Sequence, residues 1–427
     1  MMVKLFPKLP PELVLLILSH FKHTAYLCTL YDAFSDVKNI VDTHFTVFFD
    51  ALSVFEYVRY TDDFFYTFIL RIPPTRIKPI LSVAITIRFD YLHTLKYLLG
   101  IPSIVATLDR DKPIIGRAAN NGAHRIVKYI LNGNHPTKVL RDPTQYACNE
   151  ALEYASGSGY PEIVQCLLDD PRTEPFECEY SPLSSAATED EVHIVDLLLK
   201  DGRADPNQYQ SDALSVAAAG DSYLSAYRLL QDPRVNPNID DNCPIRSAVA
   251  NHHYYLVQLL LQDPRTDPTV NRNECLRTAI AQNYVYITQL LLQDDRVMRT
   301  INDNIDWTSV VQNAIFYNHY YIVQLLLEVP HLQVDTTEWI LLAVRLKQYH
   351  FVALLLQDDR CDPAQNNNVA ICYAAKRGYY HIVHLLLQHP RVDPFCRHNY
   401  PIKIALQNYY YITAHLLHTH WKALHLI

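Results

Sequence analysis

Residues 256–268 read LVQLLLQDPRTDP, and this stretch decides the fold because the chain writes it again and again. It returns as IVQCLLDDPRTEP from Ile163, IVDLLLKDGRADP from Ile194, ITQLLLQDDRVM from Ile287, IVQLLLEVPHLQV from Ile322, FVALLLQDDRCDP from Phe351 and IVHLLLQHPRVDP from Ile382. An alanine precedes each copy at a fixed distance: Ala118, Ala155, Ala186, Ala217, Ala248, Ala279, Ala314, Ala343, Ala374 and Ala405. From Ala155 to Ala279 the step is 31 residues every time, and the later steps are 35, 29, 31 and 31. A fixed period of this length is the signature of stacked supersecondary units.

Physical chemistry says what one unit must be. The alanine lies in a short apolar helix. Four residues after it come Gly122, Gly159, Asp190, Asp221, His252, Asn283, Asn318, Lys347 and Gly378 in successive copies. Most of these are Gly, Asn or Asp, the residues that tolerate a left-handed backbone at a helix C-terminus. A second helix then presents I-V-x-L-L-L, whose apolar positions cover one broad face. Proline in the D-P-R-x-D-P segment stops it and biases the preceding residue toward extended backbone. The polar stretch that follows, such as NPNIDDN or DPAQNNN, reads as an extended turn or hairpin finger. One such unit cannot bury its own apolar face, but stacked copies share a continuous core.

The repeat resembles the ankyrin family, whose pattern is T-P-L-H-x-A-A-x-x-G-H-x-x-I-V-x-x-L-L. AAKRGYYHIVHLLL from Ala374 is the closest copy, with SPLSSAA from Ser181 and CPIRSAV from Cys243 in the opening slot. The likeness covers residues 80 to 420 in about ten copies, with a weaker one, LSVAITIRFDYLHTLKYLL, from Leu81. It implies an all-α, ankyrin-type helix-turn-helix repeat solenoid with short finger loops. It also implies a non-enzymatic surface for protein partners, with finger tips such as Asp240, Asp241, Arg272, Asn366 and Arg397 as contact residues. Two departures stand out. The slot of the family's histidine holds Arg246, Arg277, Lys403, Ser184 or Cys372, so its hydrogen bonds must be made otherwise. The finger is also two residues shorter than the family's, which predicts blunt fingers and a shallower groove.

Ahead of the array, residues 5–21 read LFPKLPPELVLLILSHF. Proline at the helix start, an acid in the first turn and an apolar body predict a short helix, with Leu13, Ile17 and Leu18 on one side. The segment resembles the opening of an F-box, L-P-x-E-L-x-x-x-I-L, matched by Leu9, Pro10, Glu12, Leu13, Ile17 and Leu18 with Phe21 behind them. With AYLCTLYDAF and VKNIVDTHFTVFF it would complete a small helical unit over residues 1–50. The resemblance implies docking on a Skp1-like adaptor, with the repeats presenting a substrate protein to a cullin-type ubiquitin ligase. The competing reading is an irregular cap on a plain ankyrin scaffold with no ubiquitin link. Residues 51–80 are an aromatic-rich connector, 81–420 the array and 421–427 a C-terminal tail.

Composition bounds the remaining possibilities. A formal charge of −8 without a basic stripe argues against nucleic acid or an anionic membrane as partner. No apolar run approaches the roughly 20 residues of a membrane span, and LVLLIL at Leu13 to Leu18 is too short for a signal peptide. Nine cysteines, never as C-x-x-C, read as reduced thiols of a cytoplasmic or nuclear protein, and a monomer is expected. No phosphate-cradling, nucleophile-elbow or H-E-x-x-H motif occurs, so no enzyme and no cofactor are expected. His381 and His384, and the trio His415, His418 and His420, have spacing that permits metal. The first two occupy variable repeat positions and read as structural.

Two recurrent residue types remain. The arginines Arg172, Arg234, Arg265 and Arg391 follow helix ends, where a cation can bond free carbonyls, so they read as structural. Tyrosines cluster just before or at the start of each second helix: Tyr254, Tyr255, Tyr284, Tyr286, Tyr320, Tyr321, Tyr349, Tyr379, Tyr380 and Tyr409 to Tyr411. They admit two readings: rings that cover a neighbour's inter-helix turn, or a partner-binding edge made by Tyr255, Tyr286, Tyr321 and Tyr380.

Overall fold

A computed structural model of the chain describes residues 62–70, 79–107, 114–133, 144–175, 181–207, 212–303, 305–330, 332 and 336–425. The F-box-like residues Leu9, Pro10, Leu13, Ile17, Leu18 and Phe21 lie outside these, as does most of the 51–80 connector. The described residues form helices and turns, with no strand among them. The chain divides into two compact units, residues 1–213 and 214–427.

In the second unit, first helices Ile239–Ala250, Val270–Ala281, Trp307–Phe316, Thr336–Arg345, Gln365–Lys376 and Cys396–Gln407 pack side by side in chain order. Second helices Tyr223–Leu230, Tyr254–Gln262, Val285–Leu292, Tyr320–Glu328, Tyr349–Leu355, Tyr380–Leu387 and Tyr411–His425 form a parallel layer against them. The first unit repeats the arrangement. Ile114–Asn120, Gln145–Gly157 and Pro182–Thr188 make one layer, and His124–Leu131, Pro161–Leu168 and Val192–Asp201 the other.

The repeated letters explain the layers. The ten periodic alanines are at most 2 % exposed, and a methyl group there lets neighbouring helices approach closely. The I-V-x-x-L positions, such as Ile163, Val164 and Leu167 or Ile322, Val323 and Leu326, are buried between the layers. Each alanine also closes its helix. The amide of His253 donates to the carbonyl of Ala248 at 2.9 Å and that of His252 to Val249 at 3.1 Å, the paired bonds of a Schellman ending. The same bond reaches Ala279 from Tyr284, Ala314 from His319, Ala374 from Tyr379 and Ala405 from Tyr410. The motif needs a left-handed residue, and all nine positions expected from the sequence have positive φ, joined by Asp90 and Tyr409.

The fingers depart from the extended turn or hairpin expected of them. Residues 240–242, 271–273, 366–368 and 397–399 each carry three consecutive left-handed residues, for example Asn366 at φ 53°, Asn367 at 64° and Asn368 at 60°. Asn and Asp accept this conformation because their short polar side chains bond locally, and they supply most of these positions. A single left-handed turn uses fewer residues than a hairpin, consistent with the shortened repeat. The 35-residue step has its own cause: a short extra helix, Asp295–Thr300, stands after the second helix there, and Asp294 caps it by accepting from the amide of Arg296.

Candidate functional site

After six of the second helices an arginine is held by the aspartate two residues earlier. Arg265 donates from Nε to Asp263 Oδ1 at 3.0 Å and from Nη2 to Oδ2 at 2.7 Å. The guanidinium then reaches back to the preceding repeat, with Nη1 on the carbonyl of Val235 at 2.9 Å and Nη2 on that of Leu230 at 2.8 Å. Arg203 grips Thr173 and Leu168 in the same way, Arg296 grips Thr266 and Leu261, and Arg360 grips Val329 and Leu327. Arg172 reaches Leu131 at 2.7 Å. The leucine carbonyls sit at the ends of second helices, where free acceptors and the negative end of the dipole favour a cation. The expected structural role is therefore present at Arg172 and Arg265, but the helix served belongs to the previous repeat. Arg203, Arg296 and Arg360 escape a search for D-P-R because Gly or Asp replaces the proline.

The arginine partners set the acidity of these aspartates. Hydrogen bonds from Arg172, Arg203, Arg234 and Arg360 hold Asp170, Asp201, Asp232 and Asp358 below the usual carboxylate range. At Asp263 and Asp294 burial pushes the other way, and the combined bonds from Arg265 and Arg296 outweigh it. Each charge is thus paired within its own loop, and the remaining guanidinium N–H groups cross the repeat junction to neutral carbonyls.

The slot of the family's histidine finds substitutes. Arg246 Nε pairs with Glu274 of the next repeat at 2.9 Å, while Arg277 donates to the finger carbonyls of Arg272 and Asn271 at 3.1 and 3.0 Å. Arg246 and Glu274, with Cys243, Cys275 and Thr278, line a shallow cavity of about 210 Å³ on the first-helix side.

The finger-tip residues Asp240, Asp241, Arg272, Asn366 and Arg397 are all exposed and all occupy the first two of three left-handed positions. Arg397 Nη2 donates to the carbonyl of Asn366 at 2.9 Å, so adjacent tips touch. In three of these four fingers the third left-handed residue turns inward, while Asn399 is exposed. Asn242, Asn273 and Asn368 are buried, and Asn368 Oδ1 accepts from the amide of Asp393 at 2.8 Å. Asn242 does the same for Asp267, and in the first unit Asn149 for Glu174. Neither periodicity nor the family pattern announces this asparagine ladder, although an Asn six residues before the alanine in five copies (Asn149, Asn242, Asn273, Asn368 and Asn399) is the signal that could have found it.

The tyrosines divide into two sets. Those next to the left-handed residue cover a neighbour's turn. A side chain at Gly122 would meet the ring of Tyr160 at 2.5 Å, Tyr284 stacks on His252 with centroids 4.2 Å apart, and Lys347 Nζ lies 5.4 Å above Tyr379. The others point outward from second helices of the second unit. Tyr255 is 70 % exposed, Tyr286 71 % and Tyr321 65 %. Tyr380 is exposed too, but it stands in register with Tyr254, Tyr320 and Tyr349, and His381 takes the position of Tyr255 in that repeat. Tyr254 meets the ring of Tyr286 in the next repeat edge-on at 6.5 Å, which joins the two positions into one strip. The helices Tyr254–Gln262, Val285–Leu292, Tyr349–Leu355 and Tyr380–Leu387 carry no charged side chain apart from histidine, and Tyr320–Glu328 carries one only at its far end, Glu328, so the strip at the helix starts is neutral.

No group of three or more metal-ligating side chains is assembled among the described residues. His384 contacts Gln388 at 3.3 Å and stacks beside Tyr380, while His381 meets Tyr349 and Tyr380 edge-on. No helix among the described residues is long and apolar enough to cross a membrane.

Comparison with known families agrees with this geometry. A family model for ankyrin repeats in three copies matches residues 152–241, and a single ankyrin-repeat model matches residues 366–399. A search of curated proteins finds no match to the chain. Helix pairs closed by Schellman turns, with repeat-specific fingers between them, occupy the matched segments and recur beyond them at the same period. Residues 152–241 and 366–399 are thus ankyrin repeats, and the geometry outside them follows the same pattern.

Proposed function

We propose that this chain is a non-enzymatic adaptor that recognises a protein partner along the neutral tyrosine edge of its second unit. Ankyrin repeats by themselves indicate a protein–protein interaction scaffold. The observation that carries the finer reading is the exposure of Tyr255, Tyr286 and Tyr321 on an uncharged face, where core packing would bury aromatic rings of this size. Tyrosine gives large contact area with few rotors and a polar tip, which suits recognition. The finger tips Asp240, Asp241, Arg272, Asn366 and Arg397 supply the polar contacts of the same partner.

Replacing Tyr255, Tyr286 and Tyr321 together by alanine removes contact area without touching the core. Unfolding midpoints should therefore stay within about 0.5 kcal/mol of the parent. A partner co-purified from the native cell should be lost, since buried interface tyrosines carry on the order of 1–2 kcal/mol each. Because the face is neutral, that capture should survive raised salt. Retention of the partner by the triple variant would move recognition to another surface.

The N-terminal segment completes the proposal. Its likeness to an F-box supports docking on a Skp1-like adaptor through Leu9, Pro10, Leu13, Ile17, Leu18 and Phe21, which would make the array a substrate receptor for a cullin-type ubiquitin ligase. Purified chain should bind a Skp1-like protein, and Leu13→Glu with Ile17→Glu should abolish that binding while leaving helical content unchanged. Failure of the intact chain to bind leaves the plain scaffold as the function.

A further inference from the structure

Seven cysteines are described, and two of them meet. Cys372 lies within the first helix Gln365–Lys376 and Cys396 begins the next first helix, Cys396–Gln407. Their sulfurs are 3.5 Å apart across the junction between adjacent repeats, 24 residues apart in sequence. They are 4 % and 5 % exposed. Elsewhere Cys166 contacts His124, Cys243 contacts Ser247, and Cys148 and Cys275 sit in separate repeats with thiols pushed up to about 11 and about 12 by burial.

We propose that Cys372 and Cys396 are a dithiol that peroxide-class oxidants convert to a disulfide, covalently joining two adjacent repeats. The sulfurs need to close by about 1.5 Å to reach bonding distance, within the reach of side-chain rotation at both residues. The two thiols are inequivalent. Either thiol can donate across this contact; with Cys396 as the donor, that bond and the nearby Arg397 cation hold Cys372 below the usual thiol range against the effect of burial. The same contact and burial push Cys396 up. Cys372 is therefore the attacking sulfur.

In the first step the Cys372 thiolate attacks one peroxide oxygen, the O–O bond breaks, and hydroxide leaves and takes up a proton as water. This gives a sulfenic acid. The Cys396 sulfur then attacks that sulfur, the S–O bond breaks, and the hydroxyl leaves as a second water with the Cys396 proton. Two thiols lose two electrons and two protons to one peroxide, giving one disulfide and two waters. Transient local opening of the junction admits the oxidant to these nearly closed sulfurs.

The test treats the full chain with hydrogen peroxide and maps thiols by mass spectrometry after digestion. A peptide joining Cys372 to Cys396, lighter by two hydrogens and released by dithiothreitol, is expected. The oxidised chain should also show an upward shift in thermal midpoint, because the cross-link constrains the unfolded chain. That shift should vanish in Cys396→Ser, where a sulfenic-acid probe should label Cys372. Circular dichroism of Cys396→Ser and of Cys396→Ala confirms that each reduced variant is folded. Recovery of Cys372 and Cys396 only as free thiols or as over-oxidised acids, with no joined peptide in the folded wild-type chain, overturns the proposal.

Discussion

Arginine in this protein works one repeat away from where it is encoded. A guanidinium fixed by its own aspartate, as in Arg265 with Asp263, is pre-organised before it meets the carbonyls of Leu230 and Val235. Its planar fork can satisfy three acceptor groups at once, which lysine cannot do. The last copy keeps the arginine but not its partner: His389 stands where six copies carry aspartate, and its Nδ1 accepts from the amide of Arg391 at 3.3 Å. Burial, then the nearby Arg391, holds that imidazole below its usual range, so it offers the cation no negative partner. His389→Asp should supply the missing carboxylate and raise stability by about 0.5–1 kcal/mol, read as an upward move of the urea midpoint. An unchanged or lower midpoint would show that geometry, not charge, limits this copy.

At the scale of the element, the finger is a left-handed turn whose last residue faces inward at Asn242, Asn273 and Asn368. Asn368 adopts φ 60° and accepts from the amide of Asp393 in the following repeat. The two contributions can be separated. Asn368→Gly keeps the left-handed backbone and loses only the bond, whereas Asn368→Ala loses both. Equilibrium unfolding should place the glycine variant about 1 kcal/mol below the parent and the alanine variant a further ~1 kcal/mol lower. Equal losses would mean that the backbone conformation costs alanine little here. The finger was only partly legible in advance. Its polar composition signalled a turn, but an extended hairpin and a left-handed turn share that composition, and only the partner amide in the next repeat favours one of them.

For the molecule as a whole, the clamps make acid sensitivity a distributed property. Asp170 and Asp201 in the first unit and Asp232, Asp263, Asp294 and Asp358 in the second all have folded values below the unfolded one. A depressed carboxylate contributes its stability fully above the unfolded value of about 3.9 and loses it as pH falls through the folded value. Asp90 acts in the opposite sense. Burial raises it despite amides from Arg125 and Ile126, so it opposes folding at neutral pH. With the six clamp aspartates, and Asp306 beside them, lowered against one raised among the described residues, urea midpoints should be flat from about pH 7 to pH 5 and fall steeply below about pH 4. Asp263→Asn should flatten part of that fall. A midpoint that held steady to about pH 2 would remove the clamps from the stability of the array.

The sequence by itself determined the repeat, its period and its helix pairs. The signals for these are local: an apolar face at helical spacing, a residue that tolerates positive φ four places after the alanine, and a break after the second helix. The exposed finger positions and the tyrosine-rich helix starts were legible for the same reason. Tertiary structure alone decided what each repeated residue touches. It carried Arg265 and Asn368 to neighbouring repeats, sorted tyrosines that are adjacent in sequence into turn covers and an outward strip, and brought Cys372 to Cys396. Those outcomes depend on the register between stacked repeats, and register is set when the shared core packs, so a pattern read within one repeat cannot contain it.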